Sequence, residues 1–97
     1  MEIKFEWDER KNAINKKKHG LSFEEAALVF SDPRRYEMYD GLHSLIEKRW
    51  LAIGLANCKM VEVYFTERKD IIRIISARKA DKNKMEEYFY GYGATNN

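Results

Sequence analysis

Apolar and polar positions alternate with two different periods along the chain, and each change of period marks an element. Ile3-Lys4-Phe5-Glu6-Trp7 alternates strictly and predicts a short strand with one face buried. Asp8 then stands as the N-cap of a helix reaching about Lys18, and Gly20 would end it in a left-handed conformation. Ser22 opens a second helix, with Glu25 three residues on to complete a capping box. Phe23, Ala26, Ala27 and Phe30 recur at i, i+3, i+4, i+7 and predict a core-facing stripe, and Ser31-Asp32-Pro33 closes the helix. The two helices predict an N-terminal helical hairpin, or a helix-turn-helix-like corner, about His19-Gly20-Leu21.

Beyond Pro33 the period shortens to two. Residues 34–40 predict a short strand, Asp40-Gly41 a turn, and the segment through Ile46 a loop. Residues 47–55 predict a strand with Arg49, Leu51, Ile53 and Leu55 on one side, and residues 60–66 another with Val61, Val63 and Phe65 on one face. Tight polar turns at 57–59 and 68–70 join these strands to the next. Ile71, Ile72, Ile74 and Ile75 then predict a strand buried on both faces, hence a central one. Short connections of this kind specify an antiparallel meander. Asp81 caps a last helix, on which Met85, Tyr88, Phe89 and Tyr92 form the packing stripe and Gly91 and Gly93 the end. The order is β-α-α-β-β-β-β-α: an α+β fold with one antiparallel sheet, an N-terminal helical hairpin and a C-terminal helix. Residues 1–93 form a single domain, and 94–97 a flexible tail.

Charge changes this picture more than composition does. The formal net charge is only +2, yet residues 9–19 carry five cations against one anion, and residues 67–84 seven against three. Residues 20–40 carry two against five. Two basic zones separated by an acidic one either form a face for a polyanion or are two solvated surfaces of mixed charge. The single cysteine, Cys58, gives neither a disulfide framework nor a cysteine-based metal site and fits a reducing compartment. Charges interrupt the N-terminus and no uncharged run is long enough for a membrane, so the expectation is a cytoplasmic protein with no membrane partner.

Zinc spacings, phosphate loops and dinucleotide fingerprints are absent, so neither a metal nor a cofactor is expected. Asp8, Asn12, Asn15 and His19 fall on one face of the first helix. That polar stripe either bonds the neighbouring backbone or, flanked by Lys18, forms a surface for nucleic acid. His43, in a loop, reads as a solvated residue. The stronger constellation is arginine on strands: Arg49 begins one strand, Arg73 sits in the middle of the isoleucine strand and Arg78 closes it. Guanidinium forks give bidentate, permanently charged hydrogen bonds to phosphate. Converging on one sheet face, they would hold a scissile phosphate and its extra charge in the transition state, while a neighbouring base takes the proton of a ribose 2′-hydroxyl. Ideal alternation places Arg73 and Arg78 on opposite faces, so convergence requires a bulge or an irregular strand end. The competing account is structural pairing: Arg49 with Glu47 or Glu67, and Arg73 with Glu62.

Phe5-Glu6-Trp7-Asp8, Lys11-Asn12, Asn15, Lys18-His19-Gly20, Phe23-Glu24-Glu25-Ala26 and Val29-Phe30-Ser31-Asp32-Pro33 together resemble the opening of the BrnT toxin family. Glu47-Lys48-Arg49 with Ile53-Gly54 resembles its middle strand, and residues 73–80 its most recognisable block. The resemblance runs from about Phe5 to Tyr88. It implies a type II toxin–antitoxin toxin with a RelE-like fold, acting as a metal-independent ribonuclease. It also implies a BrnA-type antitoxin that neutralises the toxin and brings the complex to operator DNA. Carried over by motif position, it implies Arg49 and Arg78 as catalytic phosphate-binding groups and Glu47 or His19 as the proton-transfer group. Arg73, Lys18, Lys79, Asn12 and Asn15 are the RNA-binding candidates. The Tyr-rich end (Tyr88, Tyr90, Tyr92) matches no motif. The alternatives are a non-catalytic nucleic-acid-binding module built on the first helix and a partner-binding domain.

Overall fold

The computed structural model describes residues 3–44 and 47–95, with the backbone alone for His43 and residues 92–95. The expected loop at Leu45 and Ile46, the exposure of His43, the place of Tyr92 in the packing stripe and the tail at Asn96 and Asn97 lie outside what is described. Five strands form one sheet: β1 (Lys4–Glu6), β2 (Tyr36–Tyr39), β3 (Trp50–Ala56), β4 (Lys59–Arg68) and β5 (Ile71–Lys79), in the spatial order β1-β5-β4-β3-β2. The β2 to β5 run is the antiparallel meander that the short turns predict. Asn57 and Cys58 both take positive φ, 49° and 66°, in the two-residue turn between β3 and β4.

The sheet is not wholly antiparallel, as expected, but mixed. β1 pairs parallel to β5, Phe5 opposite Ile72. A parallel pair needs a crossover, and α1 (Glu9–His19) leaves β1 over one sheet face to provide it. β5 is internal, as its isoleucines suggest, but only Ile74 is fully buried; Ile71, Ile72 and Ile75 are half-exposed. Its neighbour β1 is only three residues long, and one face of this end of the sheet has no helix over it.

α1 is capped as expected: the Asp8 carboxylate accepts from the backbone N–H of Arg10 and Lys11, and Gly20 sits at φ 67°. The second arm of the expected hairpin is shorter than predicted. α2 (Phe23–Ala26) is one turn, continued by a 3₁₀ segment from Ala27 to Ser31. Ser22 accepts from the Glu25 N–H at 3.0 Å, but the capping box is only half made. The Glu25 carboxylate turns to Asn57 and Lys59 instead. Phe23, Ala26, Val29 and Phe30 pack on Ala52, Val61, Val63, Phe65, Ile74 and Ala77, which is the main core. Gly54 lies under this layer: a Cβ there would meet Val29 Cγ1 at 3.0 Å and Asp32 Oδ2 at 3.2 Å.

α3 (Lys82–Thr95) begins where expected, the Asp81 carboxylate accepting from the Lys84 N–H at 2.9 Å. It runs through Gly91 and Gly93, past the glycines that were to end it. Gly91 is where α3 approaches β2, its backbone facing the Tyr36 ring so closely that a Cβ would lie 3.1 Å from it. Of the predicted stripe, Tyr88 is buried against Leu51 and Ile53, while Met85 and Phe89 stay largely exposed. The helix is anchored mainly by one residue: Tyr88 donates to Asp32 Oδ2 at 2.8 Å. α3 therefore covers only the β2–β3 end of the second sheet face and leaves the β4–β5 end open.

Candidate functional site

The open end of the sheet owes its chemistry to an irregularity in β5. Phe65 lies opposite Ile74, but the preceding Tyr64 lies opposite Ser76, so Ile75 has no partner and the strand bulges there. Beyond the bulge the alternation is reversed. Arg73 faces Thr66 across the ladder and Arg78 faces Glu62, and the register places both arginines on the same sheet face. Ideal alternation separates them; the bulge supplies the condition for their convergence.

On this face a cleft of about 370 Å³ is lined by Arg49 from the start of β3, Tyr64 from β4, Ser76 and Arg78 from β5, and Lys18 and His19 from the end of α1. Asp40 borders it as well. Of the nine site residues singled out in the sequence, the cleft thus gathers Arg49, Arg78, His19 and Lys18. The end of α1 is held there by Asn15. This buried side chain donates from Nδ2 to the carbonyls of Leu21 and Ala77, both at 2.8 Å, and accepts the Ala77 N–H at 3.2 Å. Asn12 donates to Glu24 at 2.8 Å and accepts the Phe23 N–H at 2.8 Å. The polar stripe is therefore structural at Asn12 and Asn15: their amides join α1 to α2 and β5, and the expected RNA contacts have no free amide to use.

The arginines divide by their partners. Arg49 is fixed through its backbone, donating to Ser44 Oγ at 2.9 Å and accepting from the Asp40 N–H. Its guanidinium has no hydrogen bond or ion pair among the described residues, so the pairing with Glu47 or Glu67 is not made. Arg78 donates from Nε to Glu62 Oε1, leaving the two terminal nitrogens of the fork for a ligand. Glu62 is fully buried while Arg78 is half-exposed, so the carboxylate acts as a root that aims the cation outward. Arg73 pairs with Glu6 at 2.6 Å, not with Glu62, because it lies opposite Glu6 on β1 and opposite Thr66, four residues from Glu62, on β4. Lys79 lies opposite Val61 and so belongs to the other sheet face.

Glu47 lies outside the cleft lining and receives Arg68 in a bidentate pair at 2.8 and 3.2 Å. Arg68, and more weakly Arg73 and Arg49, hold its carboxyl below the usual glutamate value, which makes it a weak proton acceptor. Tyr64 was not singled out in the sequence. Its hydroxyl donates to Glu62 Oε1 at 3.3 Å, and burial together with that carboxylate raises its pKa above the ordinary phenol value. Its signal was present: with Val61, Val63 and Phe65 inward, Glu62, Tyr64 and Thr66 must share the opposite face.

Among the described residues no group of three or more His, Cys, Asp or Glu side chains could hold a metal ion, and no helix is long and apolar enough to cross a membrane. The site is thus a basic cleft on a half-covered sheet, with a histidine and a phenol beside two guanidinium groups, in a small α+β domain. Guanidinium groups so placed have the chemistry to grip a phosphate ester. The family of ribonuclease toxins called BrnT, of type II toxin–antitoxin systems, matches residues 7–84, and the chain belongs to that family. No curated protein matches it.

Proposed function

We propose that this chain is a RelE-like endoribonuclease that cleaves RNA without a metal and thereby inhibits translation and growth in the cytoplasm. We further propose that a cognate BrnA-type antitoxin neutralises it by covering the cleft, and that the antitoxin brings the complex to operator DNA. The observation that carries the reading is the meeting of Arg49, Arg78 and His19 in one cleft. Two guanidinium groups from neighbouring parts of the sheet can clamp the non-bridging oxygens of one phosphate and take up the charge that grows in the transition state. His19 lies in the same cleft and serves as the acceptor for the 2′-hydroxyl proton, a role for which Glu47, tied to Arg68, is poorly placed. Lys18 adds a mobile cation along the RNA backbone, and Arg73, paired with Glu6, stands behind the clamp. A recognition helix for DNA fits less well, since Phe23 and Phe30 of the second helical segment are in the core.

The test is expression of the chain alone, with and without a chelator present during subsequent cleavage assays. Growth arrest and RNA cleavage that persists in the chelator are expected. Intact RNA at saturating protein would refute the reading.

A further inference from the structure

The clamp accounts for the phosphate and His19 for the attacking hydroxyl, but the departing 5′-oxygen also needs a proton. Without one it would leave as an alkoxide, at great cost. Arginine does not release protons at ordinary pH, and the hydrogen bonding of Arg78 to Glu62 pushes it further from doing so. Tyr64 is the remaining cleft residue whose side chain carries a transferable proton on a rigid ring next to Arg78. Its place is unusual. The hydroxyl donates at 3.3 Å, a long contact, to the same Oε1 that receives Arg78 Nε. Glu62 Oε2 is buried with no hydrogen-bond partner among the described residues. A fully buried carboxylate with one unmatched oxygen costs stability. What it secures is a fixed pair, guanidinium and phenol, side by side at the floor of the cleft.

We propose that Tyr64 is a further catalytic residue, the proton donor to the 5′-oxygen of the scissile linkage, and that Glu62 is the positioning residue that sets it beside Arg78. The proposal rests on the ribonuclease reading above. In the step, the ribose 2′-oxygen gives its proton to His19 and bonds to phosphorus. The bond from phosphorus to the 5′-oxygen breaks, and that oxygen takes the phenolic proton. The products are a 2′,3′-cyclic phosphate and a 5′-hydroxyl end; His19 then gives its proton to water and water returns one to the Tyr64 oxygen, which restores both groups. The raised pKa suits this role, since it keeps the phenol protonated until an alkoxide, a far stronger base, develops beside it.

The experiment compares two RNA oligonucleotides, one natural and one with sulfur replacing the bridging 5′-oxygen at the cleavage site. A thiolate leaves without being protonated. Tyr64→Phe keeps the ring that packs near Leu51 and Ile53, and its folding is checked by melting. The expected result is a loss of natural-RNA cleavage of about 10²–10⁴-fold, with cleavage of the sulfur substrate within a few-fold of the parent protein. Equal losses on both substrates would overturn the proton-donor role, because a merely structural defect does not distinguish the leaving groups. Should the variant not fold, the parent protein decides. Its solvent deuterium isotope effect should fall when sulfur replaces oxygen, and an unchanged effect overturns the proposal. If the parent protein cleaves neither substrate, the ribonuclease reading itself fails, an outcome separate from the other two.

Discussion

Replacing Asn15 by alanine tests whether the polar face of the first helix is structural or RNA-binding. The side chain is 6% exposed and makes three hydrogen bonds, all to backbone groups. Asn15→Ala leaves the Ala77 N–H and the carbonyls of Leu21 and Ala77 without these partners. At about 1 kcal/mol for each bond, the loss is roughly 3 kcal/mol, more if water cannot reach the vacated groups. For a domain of this size each kcal/mol lowers the melting temperature by about 4–8 °C, so a drop on the order of 12–24 °C is expected. Asn15→Asp should be no better, since a carboxylate would face two carbonyl oxygens with no hydrogen to offer. Thermal and urea melts of the purified variants give the value. A shift under about 4 °C, with RNA affinity lost, would refute the reasoning and return Asn15 to the RNA surface.

Four further outcomes follow from the same geometry. Arg78→Ala should abolish cleavage and also cost about 1–3 kcal/mol, because Glu62 loses its partner while buried. Arg78→Ala combined with Glu62→Gln should regain stability but not activity, and full RNA cleavage by either variant removes Arg78 from the site. Gly54→Ala should destabilise by about 1–3 kcal/mol through the Val29 and Asp32 contacts, read as a lower urea midpoint; an unchanged midpoint means the helical layer yields freely. Asp32 is pushed upward by burial, but the N–H groups of Leu55 and Arg34 and the Tyr88 hydroxyl prevail and hold it below the ordinary aspartate value. Its contribution is therefore complete above that value and fades as pH falls through the lower, folded-state value. The gap in melting temperature between the parent and Asp32→Asn should shrink below about pH 4, and a constant gap would exclude this origin. Arg49→Gln should flatten the dependence of RNA affinity on salt by about one ion, as counterion release requires, and an unaltered slope places Arg49 away from phosphate.

The elements themselves were legible because each has a local cause. Asp8, Ser22, Asp81 and Gly20 act within a turn of where they stand, and the meander follows from its short polar connections. What sequence could not show was decided between distant strands. The parallel docking of β1 on β5 leaves no mark in residues 3–7, where alternation is the same for either direction. The bulge at Ile75 replaces no residue type with another. It simply skips one partner, and by doing so exchanges Ala77 for Arg78 opposite Glu62. The arginines were therefore found in the sequence and their partners were not. For Asn12 and Asn15 the sequence leaves backbone bonding and an RNA surface both open, and the backbone partner of Asn15 becomes visible only when the 62-residue span to Ala77 closes.

That closure has a bearing on how the protein is made. The cleft joins the end of α1 to Ser76 and Arg78, and β1 finds its strand partner among the described residues in β5. On the ribosome, the first strand emerges early and must wait for residues 71–79 before it can pair, and α1, tied to α2 by Asn12, lacks its Asn15 anchor until then. A nascent chain halted before β5 has no Arg78, no clamp for Asn15 and no partner for β1. The arrangement therefore completes the cleft only when synthesis reaches the end of β5, and on the function proposed above that leaves an interval in which an inhibitor made beforehand can be waiting.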